Sequence, residues 1–171
     1  MPWFGGHRTL AEQMLGLDYA LAEADGKRVL DAGCAEALIG IEFVKRGATV
    51  VAFDNQWDLI RGAVKAIKGV ANITVAFGDI NGHIPEGQFD IVLALAVLHK
   101  TKDMHKATKA LADRCTSLMV VRLPRDSTGR FKSKHFPTVI DLNVEMPKLG
   151  FELERTEQGP QTELVQYWRR K

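Results

Sequence analysis

The chain has 171 residues, 46% of them apolar and 26% charged, a balance that fits one globular domain with a buried core and excludes a disordered or low-complexity chain. No signal-peptide run opens the sequence MPWFGGHRTL and no window reaches the roughly 18 apolar residues of a membrane span, which predicts a cytoplasmic protein without a membrane anchor. The net charge of +2 is uneven: residues 1–86 carry 8 Lys/Arg against 11 Asp/Glu, residues 87–171 carry 15 against 10, and the segment 99–134 alone holds 10 basic residues against 3 acidic ones.

Thr9-Leu10-Ala11-Glu12 spells a capping box, and Leu10, Met14, Leu17 and Leu21 follow at helical spacing, which predicts a first helix over about 9–24. Lys27–Ala32 is a short strand-type run, and a helix follows over Ala37–Arg46, stopped by Gly47. Thr49–Phe53 is β-branched, and Trp57, Ile60, Val64 and Ile67 then recur with helical period. Ile73–Phe77 reads as a third strand. Phe89–Leu95 is a near-continuous apolar fourth, of the type found inside a parallel sheet covered on both faces. Thr101–Arg114 predicts a helix with Met104, Ala107 and Leu111 inward and its lysines outward. Leu118–Leu123 forms a fifth strand, Arg125–Lys134 a polar loop, and Val139–Leu149 a last helix. Phe151–Glu157 and Leu164–Trp168 flank Gln158-Gly159-Pro160-Gln161 as an antiparallel pair. Cys34 and Cys115 lie far apart without metal-ligand spacing and read as reduced structural thiols.

Strands alternating with helices over 27–150 predict a doubly wound, mostly parallel sheet. In such sheets ligands bind beyond the carboxyl ends of the strands. Attention therefore falls on Gly33–Ala37, Asp54–Trp57, Gly78–Ile80, Ala94–Lys100 and Arg122–Lys134.

The turn Asp31-x-Gly33-Cys34-Ala35-x-Ala37, an acidic residue closing strand two (Asp54), Gly78-Asp79-Ile80 after strand three, and Phe89-Asp90-Ile91-Val92 opening strand four together resemble the class I S-adenosylmethionine-dependent methyltransferases. The resemblance covers about residues 27–170 and implies a single Rossmann-like domain over 1–171, with a seven-stranded sheet of order 3-2-1-4-5-7-6. It implies S-adenosylmethionine as cofactor. Gly33 and Ala35 would line its methionine end, with Asp31 and Leu95 also at the cofactor. Asp54 would accept the ribose hydroxyls, Asp79 and Ile80 would hold the adenine, and Asn55 would flank the purine.

Each residue has a structural alternative. Asp54 can cap the following helix and Asp79 can close an Asx turn. The family loop commonly reads D-x-G-x-G-x-G, so Ala35 and Ala37 replace glycines here and put the strength of cofactor binding in question. A nicotinamide cofactor fits worse, because G-x-G-x-x-G is absent and Asp31 and Glu36 would face its phosphates.

Methyl transfer needs alignment of acceptor and methyl group, and a base where the acceptor is a hydroxyl or protonated amine. His99, just beyond strand four, is the general-base candidate, with a partly buried anchoring histidine as the alternative. The sequence Ala94-Leu95-Ala96-Val97 lacks the [DNS]-P-P-[FYW] pattern of adenine, cytosine or glutamine amino-methylation. Lys100, Arg122 and Arg125 follow strands four and five and are expected to meet an anionic acceptor, a small molecule in preference to RNA because no aromatic run accompanies them. Alternatively, the lysines form a solvated helix face. Trp3, Phe4, Gly5 and Gly6 are expected to form a lid or a frayed end. The protein is expected to be a monomer or homodimer, and the alternative to an enzyme is a non-catalytic module that binds S-adenosylmethionine or serves a partner.

Overall fold

The computed structural model describes residues 8–171, so the lid assigned to Trp3–Gly6 lies outside the described residues. The capping box at Thr9 forms: its hydroxyl accepts the Glu12 N–H at 3.2 Å and the Glu12 carboxylate accepts the Thr9 N–H at 2.7 Å. The helix it opens is short. Where one helix over 9–24 is expected, there are two, α1 (Leu10–Met14) and α2 (Asp18–Ala22). Gly16 breaks them with φ +79°, and a Cβ there would stand 2.8 Å from the Gln158 carbonyl oxygen. The chain turns because it must pass that close to the last hairpin, whose Tyr167 hydroxyl donates to the Gly16 carbonyl.

From β1 (Arg28–Ala32) the alternation runs as the sequence predicts: α3 (Leu38–Lys45), β2 (Thr49–Asp54), α4 (Trp57–Ala66), β3 (Ile73–Phe77) and β4 (Phe89–Leu95). A 3-10 turn, Leu98–Lys100, then leads into α5 (Met104–Ala112), capped by the Asp103 carboxylate on the Lys106 N–H. Met104, Ala107 and Leu111 are buried, as their spacing requires. After β5 (Cys115–Arg122) the structure departs from the sequence reading. The polar loop contains β6 (Arg130–Lys132), and the expected helix over Val139–Leu149 begins as β7 (Val139–Asp141), with α6 confined to Leu142–Lys148. β6 and β7 pair antiparallel, with Phe131 opposite Ile140 and both buried. β8 (Phe151–Gln158) and β9 (Leu164–Arg170) form the closing antiparallel pair.

The main sheet has the order β3-β2-β1-β4-β5-β9-β8. Counting its strands alone, this is the expected 3-2-1-4-5-7-6. Alternate residues of the central strands feed opposite faces: Leu30, Val92 and Met119 pack with Leu98, Met104 and Trp168, whereas Val29, Ile91 and Val120 pack with Phe43, Ala63 and Tyr167. Both faces being covered, the central strands are apolar on both sides. Complete burial of Phe43 from α3 contributes about 2–3 kcal/mol to that second layer. No helix among the described residues is long and apolar enough to cross a membrane.

Candidate functional site

The parallel strands β1, β2 and β4 end side by side, with Ala32 in register with Phe53 and Ala94. The segments that leave these strands therefore share one edge. After β1, the Gly33 and Cys34 N–H groups both donate to the Phe53 carbonyl at 2.9 Å, pinning the turn to the end of β2. The turn then passes through left-handed backbone at Gly33 (φ +75°), Ala35 (φ +48°) and Ala37 (φ +59°). That conformation costs a non-glycine residue about 1–2 kcal/mol, so the glycine-loop path is kept against strain at two alanines.

Asp54, 7% exposed, closes β2. One carboxylate oxygen accepts the Ala35 N–H at 3.0 Å and the other accepts the Gln56 N–H at 3.0 Å. The second bond is the short-range turn expected of an Asp at this place, but the helix cap is Gln56, without a side-chain bond. Each carboxylate oxygen has a lone pair left. Asp79 does close an Asx turn: its Oδ1 accepts the Asn81 backbone N–H at 2.9 Å and the Asn81 side-chain amide at 2.8 Å. It lines the cleft as well.

The cleft has two adjoining lobes. The smaller, about 110 Å³, lies among Asp54, Asn55, Gln56, Asp79, Ile80 and Leu95. The larger, about 380 Å³, lies among Arg8, Asp31, Ala35, Glu36, Lys100 and Arg122. Gly33, Leu95, Ala96 and Lys100 belong to both. The structure thus gathers Asp31, Gly33, Ala35, Asp54, Asn55, Asp79, Ile80, Leu95, Lys100 and Arg122 around one continuous space. Outside its rim, Trp57 and Phe77 stack with ring centroids 4.4 Å apart, both exposed.

Two expected residues stand off it. Arg125 is exposed in the loop after β5, and His99 sits half-buried in the 3-10 turn without lining either lobe. The His99 carbonyl accepts the Lys134 N–H at 2.6 Å, which seats the β6–β7 hairpin on that turn. Burial, reinforced by the charges of Lys100 and Lys134, pushes the imidazole pKa down to about 4, so the ring is neutral at pH 7.

The larger lobe contains buried charge. Asp31 is 3% exposed and its Oδ2 has no hydrogen-bond partner. Burial, with the Asp54 charge adding and Arg122 opposing, pushes its carboxyl up to about 7. Arg122 is 4% exposed, donates to the Gln13 carbonyl and leaves its buried Nε unpaired. Arg8 makes a forked pair with Glu163, both bonds 2.8 Å. Sequence reasoning missed Arg8, Gln13 and Glu163 because their meeting joins opposite ends of the chain. The basic segment 99–134 is dispersed: Arg122 is buried, Arg114 serves the Pro85 and Ala110 carbonyls, and Lys109 pairs with Asp113.

A family model described as a methyltransferase domain matches residues 23–142. The chain belongs to the methyltransferase domain family. Its sheet order and cleft agree with the class I resemblance read from the strand ends. Among solved structures it is similar to magnesium protoporphyrin IX methyltransferase from Synechocystis PCC 6803 with bound S-adenosylmethionine, at TM-score 0.76, 17% identity, 99% of this chain and 88% of that one. It is also similar to an N-methyltransferase from Bradyrhizobium japonicum in complex with S-adenosylhomocysteine, at TM-score 0.72, 18% identity, 90% of this chain and 83% of that one. Among curated sequences it is 32% identical to the ubiquinone biosynthesis O-methyltransferase of Vibrio parahaemolyticus over 52% of this chain and 40% of that protein. A ribosomal protein L11 methyltransferase from Bacteroides fragilis is likewise 32% identical, over 52% of this chain and 32% of that protein. The chain thus matches well under half the length of either relative.

Proposed function

We propose that this methyltransferase domain binds S-adenosylmethionine in the cleft and transfers its methyl group to an oxygen or nitrogen of a small anionic acceptor. The observation that carries this reading is the meeting of the left-handed loop Gly33–Ala37 with the Asp54 carboxylate at one strand edge. The donor set fits that cofactor. Asp54 keeps one lone pair on each oxygen, the complement of a vicinal diol. Asp79, Asn55 and Ile80 shape the smaller lobe as an adenine site would require. Asp31 Oδ2, buried without a partner, is an acceptor for an ammonium, and Gly33 and Ala35 allow close approach of the backbone. When bound, the cofactor supplies a methyl group already activated on a sulfonium.

The rest of the work belongs to the chain. Leu95 and Ile80 exclude water from the cleft, and alignment of the acceptor supplies much of the acceleration. Lys100 and Arg122 hold negative charge on the acceptor. His99 is neutral at pH 7 and lines neither lobe, so it would receive the proton of an O–H or N–H at a ring nitrogen only from an acceptor that extends past Lys100 to the 3-10 turn. The described residues form one methyltransferase domain, cytoplasmic, working as a monomer or homodimer.

Isothermal calorimetry with S-adenosylmethionine, S-adenosylhomocysteine and NAD tests the cofactor. Binding of the first two and not the third is expected; binding of NAD alone overturns the reading, and binding of none favours a non-catalytic module. Labelled S-adenosylmethionine with fractionated extract then identifies the acceptor, with label expected in acidic metabolites.

A further inference from the structure

The smaller lobe is bounded on one side by the segment that leaves β3, from Gly78 to Asn81, and on the other by the segment that leaves β4, from Ala96 to Thr101. These strands are not neighbours in the sheet. β2 and β1 stand between them, so their ends lie three strand spacings, about 14 Å, apart. Gly33, Phe53 and Asp54, at the ends of β1 and β2, line the lobe between the two segments. One side chain joins its sides. Asn81 Oδ1 accepts the Lys102 N–H at 2.8 Å, while Asn81 Nδ2 donates to Asp79 Oδ1 at 2.8 Å. The loop after β3 is thereby clasped to the turn after β4.

Both ends of the clasp are braced. Behind Asn81, the Gly78 N–H donates to the Asp54 carbonyl at 3.0 Å, and Asp79 and His83 exchange backbone bonds of 2.8 and 2.7 Å. A Cβ at Gly78 would stand 2.8 Å from the His83 carbonyl oxygen, so the loop packs against itself. Behind Lys102, the turn begins at Ala96, in left-handed backbone with φ +58°, whose N–H donates to the Arg122 carbonyl at 3.2 Å. Between Ala96 and Lys102 runs the 3-10 turn that places Lys100 on both lobes. Asparagine suits the position, because on a short stem it presents an acceptor to the N–H and a donor to the carboxylate at once. Asp141 and Asn143 offer a comparison. They repeat the same local pair with bonds of 3.0 and 3.2 Å, but Asn143 sends its amide nitrogen to the Thr128 carbonyl at 3.1 Å and lines neither lobe. The turn motif alone therefore does not account for the Lys102 bond.

We infer, resting on the reading of the cleft as a methyl-transfer site, that Asn81 is a positioning residue that couples the two lobes: a cofactor seated against Asp79 fixes Asn81, and Asn81 fixes the turn that presents Lys100 to the acceptor. Asn81 and Lys102 are exposed, so without cofactor water competes for their bond. A molecule filling the lobe that Asn81 lines excludes that water and holds the Asp79 carboxylate to which Asn81 is tied. Cofactor thus favours the closed clasp, and by linkage the closed clasp favours cofactor by the same factor. The acceptor then meets a settled Lys100 only after the cofactor is in place.

The test is amide hydrogen exchange by NMR in the full chain, with and without S-adenosylhomocysteine, which carries no methyl group to transfer. Saturating ligand should raise the protection of the Lys102 amide about tenfold in the wild type. In Asn81→Ala that amide should stay unprotected with or without ligand, and the dissociation constant should weaken by a similar factor. Asn143→Ala should keep the wild-type response. Asn81→Asp retains an acceptor for the Lys102 N–H but sets a second carboxylate against Asp79, so it should lose the response at pH 7 and regain it near pH 5, where the pair shares a proton. An unresponsive Lys102 amide in the wild type, a response in Asn81→Ala equal to the wild type's, or an Asn81→Asp response that does not change with pH overturns the coupling. Calorimetry on the same samples separates the two readings: ligand binding with an unresponsive Lys102 amide sinks only the coupling, whereas absence of binding sinks the methyl-transfer reading on which it stands.

Discussion

The Asp54 carboxylate accepts the Ala35 N–H across 3.0 Å, so the residue that ends β2 holds the loop that leaves β1. Removing it unties the loop and the neighbouring Gln56 N–H together. Asp54→Ala is expected to lower S-adenosylmethionine affinity at least about tenfold and to cost about 1–3 kcal/mol of stability. Calorimetry and urea denaturation measure the two. An unchanged dissociation constant would remove Asp54 from the cofactor site.

Ala35 and Ala37 both sit in left-handed backbone, but their surroundings differ. Ala35 is half-buried at the cleft, whereas the methyl of Ala37 is fully buried among Phe43, Ala63 and their neighbours. Ala35→Gly relieves strain at the expense of extra freedom in the unfolded chain and should stabilise by about 0.5–1 kcal/mol. Ala37→Gly also leaves a void, so its gain should be smaller or absent. Ala35→Val should destabilise, since a β-branched residue resists positive φ. Thermal unfolding of the three variants checks the order.

The carboxyl of Asp31 is raised from its ordinary value of 3.8 to about 7, so the fold prefers its protonated form. The folded state then binds more protons than the unfolded chain between those values, and stability falls as pH rises from about 4 to 7 before levelling. Asp31→Asn removes the slope, and at pH 8 it should be more stable than the wild type by about 2–4 kcal/mol while binding S-adenosylmethionine more weakly. Denaturation at pH 5 and pH 8 gives the comparison. Equal slopes in the two proteins would contradict it.

Arg8 and Glu163 form a forked pair with Glu163 only 6% exposed. Arg8→Ala strands that carboxylate and should cost about 3–5 kcal/mol, while Arg8→Met combined with Glu163→Leu should cost much less. The non-additivity is read from a double-mutant cycle in denaturant. Additive single effects would show that the pair is not coupled.

With its imidazole at about 4, His99 is in its basic form throughout the physiological range. His99→Ala should keep cofactor affinity and lower single-turnover methyl transfer by about 10²–10⁴. Without an anionic acceptor group, the wild-type rate should stay flat above about pH 5 and fall through the ring's own midpoint. A wild-type rate in His99→Ala would make the residue a structural anchor for the hairpin.

The alternating sheet was legible because β-strand and helix periods are local signals, and Ile73–Phe77 and Phe89–Leu95 have the bounds read from composition alone. Asp54, Asp79 and Gly33 were legible for a related reason: in a parallel sheet, the place of a residue just after a strand sets its place in the cleft. What escaped depended on distant partners. Leu10, Met14, Leu17 and Leu21 keep helical spacing through Gly16, yet the approach of Gln158 ends the helix there. β6 has one apolar residue, Phe131, too few to register as a strand until Ile140 lies opposite. His99 was found by its distance from β4 and Lys100 stands beside it in sequence, but its burial and the Lys134 N–H on its carbonyl depend on the distant hairpin.

The Arg8–Glu163 fork closes a loop of 155 residues, whereas the Ala35–Asp54 bond closes one of 19. Contacts of long separation form late in folding, because the ordering of the intervening chain must come first. The loop after β1 is therefore expected to form with the first βαβ unit, and the Arg8 wall of the larger lobe only when both ends of the chain have docked. Pulse-labelled hydrogen exchange during refolding should protect the Ala35 amide well before that of Gln13. Until that last step the loop after β1 is in place while one side of the larger lobe is missing, so the two halves of the cleft are expected to be completed in sequence.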